Sequence, residues 1–232
     1  MPSAAVQSLE ALLLDRRLGG TLPSLDAPPR FLPTGIEAFD RALGGGWRIG
    51  ELSELAGRQA TGRSHLVACT LARATADRHV VAIVDALDRF DPSSAAEAGV
   101  DLDRLLWVRG PAVVAEQARP ALVDHAIRQA VRAFDLILRA GGFAVVVLDL
   151  RGIPPRRLQA LPMPTWLRLA QVLETQDTVG LVLAEVPVAR SARGVSFVFD
   201  GKATWAGASA QSRRLAGFSP AWTLRSAKAG SA

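Results

Sequence analysis

Short runs of apolar, largely β-branched residues constrain this chain most: HVVAIVDA (79–86), FAVVVLDL (143–150) and VGLVLAEV (179–186). A membrane-spanning helix needs about 20 such residues in a row. These runs are far shorter, and they are apolar at consecutive rather than alternate positions. That is the pattern of strands buried on both faces. ELSELAG (51–57) and LLWVRG (105–110) read as further strands. Between them lie helical segments: 63–76, Ser93 to Gly99, 114–142 with an interruption at Pro120, and 164–177. Strands alternating with helices imply right-handed crossovers and a mostly parallel sheet covered on both faces, an α/β fold. Thr34 is expected to N-cap a short helix, GIEAFDRAL, that stops at Gly44-Gly45-Gly46. After about residue 190 the alternation breaks. VSFVF–DGK–ATW (195–205) reads as a hairpin turning at Asp200-Gly201, and AWTLRSAK (221–228) as a final strand.

Of the 232 residues 49% are apolar, enough for one core. Cys69 is the sole cysteine, which excludes an internal disulfide and a cysteine zinc site; mid-helix, it reads as a core residue. Lys and Arg number 27 against 22 Asp and Glu, an excess that permits nucleic acid as a partner without requiring it. Residues 4–18 pattern as an amphipathic helix, with Leu9, Leu12 and Leu13 on its apolar face and Arg16 near its end. GGTLPSLDAPPRFLP (19–33) is a Gly- and Pro-rich linker. The organisation expected is 1–33 helix and linker, 34–190 core, and 191–232 basic extension. Arg190, just before that extension, and Arg193, Lys202, Arg213, Arg214, Arg225 and Lys228 within it give this end of the chain its charge; Arg190, Arg193, Arg213 and Arg214, with Leu9, Leu12, Leu13 and Arg16, are the candidate partner contacts. Trp205 and Trp222 read as packing residues that also lie where bases could stack. Arg151, Arg156 and Arg157 flank Pro154-Pro155 as a stiff basic loop, also counted as a partner surface. The N-terminus lacks the basic–apolar–small order of a signal peptide. The expectation is a cytoplasmic protein with no membrane contact.

Gly57-Arg-Gln-Ala-Thr-Gly62-Arg63-Ser64 sits between a strand and a helix, where the phosphate loop G-x-x-x-x-G-K-[ST] occurs. Glycines let the backbone curl so that amides point inward, and the helix terminus adds partial positive charge. Ser64 would reach a magnesium ion. Arg63 replaces the lysine, and its planar fork does not fit where a compact ammonium inserts between phosphate oxygens. Asp149, at the end of VVVLD, stands where such proteins orient the metal. Strands 51–56 and 143–149 are therefore expected as neighbours in one sheet.

LPTGIEAFDRALGGGWRIGELSELAGRQATGRSHL (32–66) resembles the opening of the RecA core. VDALDRFDPSSAAEAGVDLDRLLWVRG (84–110) resembles the next segment, including Asp91-Pro92 and Gly99-Val100-Asp101. The resemblance continues through Asp149 and fades near residue 190. It implies a RecA-like three-layer core with a mostly parallel central sheet and a small β-containing C-terminal extension. It also exposes departures. The position of the glutamate that activates water is Leu87. The adenine-stacking tyrosine falls at Ser94 or Ala95. The glutamine that senses the γ-phosphate aligns with Glu185, a carboxylate that would repel phosphate. The stretches after Asp149 and at Pro187–Gly194 are too short for the DNA-binding loops of a recombinase.

Since positioning and charge stabilisation supply most phosphoryl-transfer catalysis, these losses together argue against turnover. A short, basic, RecA-like chain with a worn ATP site is similar to the ImuA family. That resemblance implies a non-catalytic accessory protein of the bacterial SOS response. Its role would be to support error-prone translesion synthesis by binding ImuB and RecA, limiting or capping the RecA filament, with DNA as a further partner of the basic extension. Gly57, Gly62, Arg63, Ser64 and Asp149 would then be a relict phosphate and magnesium site, requiring no cofactor and holding ATP–magnesium at most weakly. The alternatives are a weak DNA-dependent ATPase, with Arg63 serving as the lysine and another acid replacing Leu87, and an SOS cell-division inhibitor.

Overall fold

The computed structural model describes residues 28–189, 193–206, 214–219 and 221–226. A short pair, β1 (Phe31–Leu32) and β2 (Trp47–Arg48), brackets α1 (Glu37–Leu43). Then follow β3 (Leu52–Gly57), α2 (Arg63–Ala76), β4 (Val81–Asp85), α3 (Pro92–Glu97) and β5 (Leu105–Arg109). The next elements are α4 (Pro120–Ala140), β6 (Val145–Asp149), α5 (Pro155–Gln159), α6 (Met163–Leu173) and β7 (Val179–Ala184). The chain closes with β8 (Arg193–Phe199), β9 (Lys202–Ala206), β10 (Arg214–Ser219) and β11 (Trp222–Ser226).

Among the described residues the central sheet has seven strands in the order β11-β8-β3-β7-β6-β4-β5. All its pairings are parallel except β8 with β11. Side chains alternate across it as the two-residue period requires. Ile83, Val147 and Leu181 face the layer formed by α1, α2 and α3. Val84, Leu148 and Val182 face α4 and α6. The RecA-like three-layer α/β expectation holds. Strands β3 and β6 share this sheet but are not neighbours, because β7 is inserted between them. Alternation fixes the hand of each crossover, not the order of the strands.

Local expectations are corrected at three points. Thr34 does not cap α1; Ile36 holds the N-cap position. The Thr34 hydroxyl instead accepts from the Ile36 amide at 3.1 Å, and the Thr34 amide donates to Asp40 Oδ1 at 2.6 Å. Pro120 does not interrupt a helix but starts one, since its missing N–H would go unpaired in the first turn anyway. Asp200-Gly201 is not a hairpin turn. β8 pairs with β3 and β11, whereas β9 pairs with β10. The Asp200 amide donates to Ala221 O at 2.8 Å, so the dipeptide is a bend in a longer two-armed ribbon.

An aromatic cluster fixes those terminal strands to the core. Phe197 is fully buried and meets Phe39, Trp47 and Trp222 edge-on at centroid distances of 5.4, 5.7 and 5.3 Å. Trp47 donates from Nε1 to Thr70 Oγ1 at 3.1 Å, which satisfies its one buried polar group. Trp222 therefore serves as a packing residue. Truncation Phe197→Ala should cost about 3–5 kcal/mol, read by urea denaturation. A loss below about 1 kcal/mol would mean that β8 and β11 are not packed as described.

Candidate functional site

The loop between β3 and α2 opens at the C-terminal edge of the parallel sheet, where crevices form in such folds. Gly57 has φ +152, and a Cβ there would stand 2.7 Å from the Phe199 carbonyl oxygen on β8. Gly62, at φ +94, is the left-handed residue from which α2 starts. Both positions need glycine. The Thr61 hydroxyl donates to Arg58 O at 2.7 Å and closes the turn. Ser64 lies exposed in the first turn of α2.

Arg63 is spent inside the protein. Its side chain is 2% exposed. Nη1 donates to the Gly57 and Ala184 carbonyls, and Nη2 pairs with Glu185 Oε1 at 2.7 Å. Gly57 and Ala184 are the last residues of adjacent parallel strands, so one guanidinium ties the ends of β3 and β7. Burial pulls its pKa down, and the Glu185 carboxylate opposes that pull. Glu185 also lies 3.4 Å from the Gly152 amide. Its charge is thus answered by Arg63 rather than left to repel an anion.

Asp149 ends β6 with its carboxylate buried. Arg151, expected on a partner-facing loop, folds back over it. Nε lies 2.9 Å from both Asp149 oxygens, and Nη2 lies 2.5 Å from Oδ2. Nη1 donates to Ser64 Oγ at 2.9 Å, and Nη2 to Arg89 O at 3.1 Å. Burial disfavours the Arg151 charge, but Asp149 beside it outweighs that and its pKa ends raised. Arg157 is likewise drawn to Asp124 Oδ1 at 2.5 Å, which leaves Arg156 exposed.

Leu87 is 1% exposed and packs in the apolar layer with Val84, Leu148 and Leu150. It offers no proton acceptor. The adjacent Asp88 is held by Arg109 through bonds of 2.9 and 2.8 Å, and these keep its carboxyl below the usual range. Ser94 bonds Asp91 Oδ2 at 2.5 Å and Ala95 is buried, both beside a cavity of about 360 Å³ also reached by Ser64, His65 and Asp149. The loop borders a second cavity of about 340 Å³ with Arg89 and Arg151. Cys69 is not a core residue; it is half-buried, with Sγ 3.6 Å from His65 Nε2.

The sequence thus placed Gly57, Gly62, Arg63, Ser64 and Asp149 together, and the structure gathers them. Two residues escaped it. One is Arg151. The other is Glu54, buried in mid-strand, whose Oε2 accepts the Val188 and Ala189 amides at 2.8 Å each while Oε1 accepts the Ser196 hydroxyl. A lone acid inside an apolar strand was the available signal. Leu9, Leu12, Leu13, Arg16, Arg190 and Arg213 lie outside the described residues, and Arg193 and Arg214 are placed by backbone alone, in β8 and β10. Among the described residues, no helix is long and apolar enough to cross a membrane.

A strand–glycine loop–helix corner facing an acid-terminated strand defines a phosphate-loop protein with a three-layer α/β core. The RecA N-terminal domain matches residues 26–151, over half of the chain, and the chain belongs to that family. It is 32% identical over 151 residues to RecA of Clavibacter michiganensis subsp. michiganensis, covering 62% of this chain and 38% of that protein. It is 32% identical over 119 residues to RecA of Francisella philomiragia subsp. philomiragia, covering 51% and 29%. The chain therefore spans less than two fifths of these relatives. The crystal structure of the RadB recombinase shares the fold, with a TM-score of 0.52 at 18% identity over 72% of this chain and 83% of that one.

Removing Glu185 strands a buried cation. Glu185→Ala should cost about 2–3 kcal/mol, discounted because the carboxylate is partly solvated. Arg63→Met with Glu185→Ala should lose less than Glu185→Ala alone. A double-mutant cycle in urea reads both, and an additive result would contradict the pairing.

Proposed function

We propose that this chain is a RecA-family accessory protein without ATP turnover. It supports error-prone translesion synthesis in the bacterial SOS response by binding ImuB and RecA, as the ImuA resemblance implies, and it limits or caps the RecA filament. The observation that carries the reading is the fate of Arg63. Its guanidinium is bonded to Gly57 O, Ala184 O and Glu185 instead of reaching toward the loop interior as the family's lysine would. Leu87 in the core supports it further, since nothing there activates water. A scaffold that keeps its packing while its phosphate-loop cation serves as a structural tie is suited to docking. On this reading the candidate contacts are Leu9, Leu12, Leu13 and Arg16 for RecA, and Arg190, Arg193, Arg213 and Arg214 for ImuB or DNA. The protein acts in the cytoplasm and requires no cofactor.

Two measurements test it. The purified chain should release no phosphate from ATP with magnesium, with or without single-stranded DNA. DNA-stimulated release abolished by Ser64→Ala would replace this reading with that of a weak ATPase. Immobilised full chain should retain RecA and ImuB, and a variant lacking residues 1–30 should lose RecA alone. Equal RecA recovery from both would remove the N-terminal segment from the contact.

A further inference from the structure

We infer that Arg151 is a resident replacement for the divalent cation that a phosphate-loop site would place between Ser64 and Asp149. Magnesium there needs oxygen ligands at about 2.0–2.1 Å in octahedral array. The two protein groups that would supply them are already engaged by one guanidinium: Nη1 on Ser64 Oγ at 2.9 Å, and Nε and Nη2 on the Asp149 oxygens at 2.9 and 2.5 Å. The Arg151 backbone amide adds a further bond to Asp149 Oδ1 at 3.0 Å. Nη2 also donates to Arg89 O, so the bridge is braced on a third chain segment. Magnesium and the guanidinium cannot share this space, and the present residues do not fit the metal.

The charge arrangement explains why the arginine stays. Asp85 and Asp149 end adjacent parallel strands in register, and Glu185 directly follows the end of β7, which pairs with β6 on its other side. Both aspartates are 1% exposed. Burying several carboxylates together is costly unless cations answer them. Asp85 spends its oxygens on the Phe90 and Leu87 amides, and Arg63 answers Glu185. Arg151 answers Asp149. Two internal arginines therefore answer two of the three carboxylates, and backbone amides answer the third; this counter-charge is covalently held and neither dissociates nor responds to magnesium concentration.

The test uses the full chain and free Mn²⁺ read by electron paramagnetic resonance, with no nucleotide, DNA or partner protein. Its outcome is thus separate from that of the accessory-protein reading. Wild-type protein should take up no more Mn²⁺ than Asp149→Asn. Arg151→Ala should take up Mn²⁺ that the wild type does not. That gain should vanish in Arg151→Ala with Asp149→Asn. Arg151→Gln, which keeps the apolar stem and a polar end without the charge, should gain likewise and serves if the alanine variant fails to fold. Asp149-dependent Mn²⁺ uptake by the wild type, or no gain in either neutral variant, would overturn the inference.

Discussion

The arrangement of the site depends on one buried cation. Arg63 binds the last carbonyls of β3 and β7 together with the first carboxylate beyond β7, so the loop's own first helical residue anchors the edge on which the loop sits. A carbonyl at the end of a strand lies where the ladder of sheet bonds stops, and when buried it needs another donor. A guanidinium has five donors in a fixed fork and satisfies several at once; an ammonium is a compact point charge. The substitution of one basic residue for another thus changes where the charge is spent, from a ligand-facing role to an internal tie.

The second arginine follows from the first. With Arg63 committed to Glu185, the buried Asp149 needs its own counter-charge, and Arg151 supplies it two residues along the chain. The same side chain reaches Ser64, so loop, strand end and helix start become one hydrogen-bonded unit. Within β3, the buried Glu54 does comparable work, taking two backbone amides of the segment after β7 and the hydroxyl of Ser196. Polar groups buried in this way are costly singly and stabilise a unique arrangement when every bond is made.

Much of the fold was legible because period and punctuation agree. The helix over 63–76 and the strands at 52–57, 81–85, 105–109, 145–149 and 179–184 follow from apolar runs bounded by glycine and charge. Strand order was not, since β7 inserts between β3 and β6 without any local mark. The bend at Asp200-Gly201 looked like a turn because the dipeptide suits both; only the pairing of β8 with β11 decides. At the site the residue types were readable and their partners were not. Arg151 sits among other arginines and prolines, and its spacing of two from Asp149 does not by itself say that it turns inward. Its direction is set by Ser64, 87 residues away, and by the burial of Asp149.

Hydrogen exchange at the amides of residues 57–66, compared with and without saturating ATP and magnesium, tests the central claim most directly. If the two arginines have taken over the site's charge and closed its chemistry, exchange across this segment is the same in both conditions. Strong protection that appears only with ATP and magnesium together would show a loop still built to grip metal-bound triphosphate, and would contradict the account.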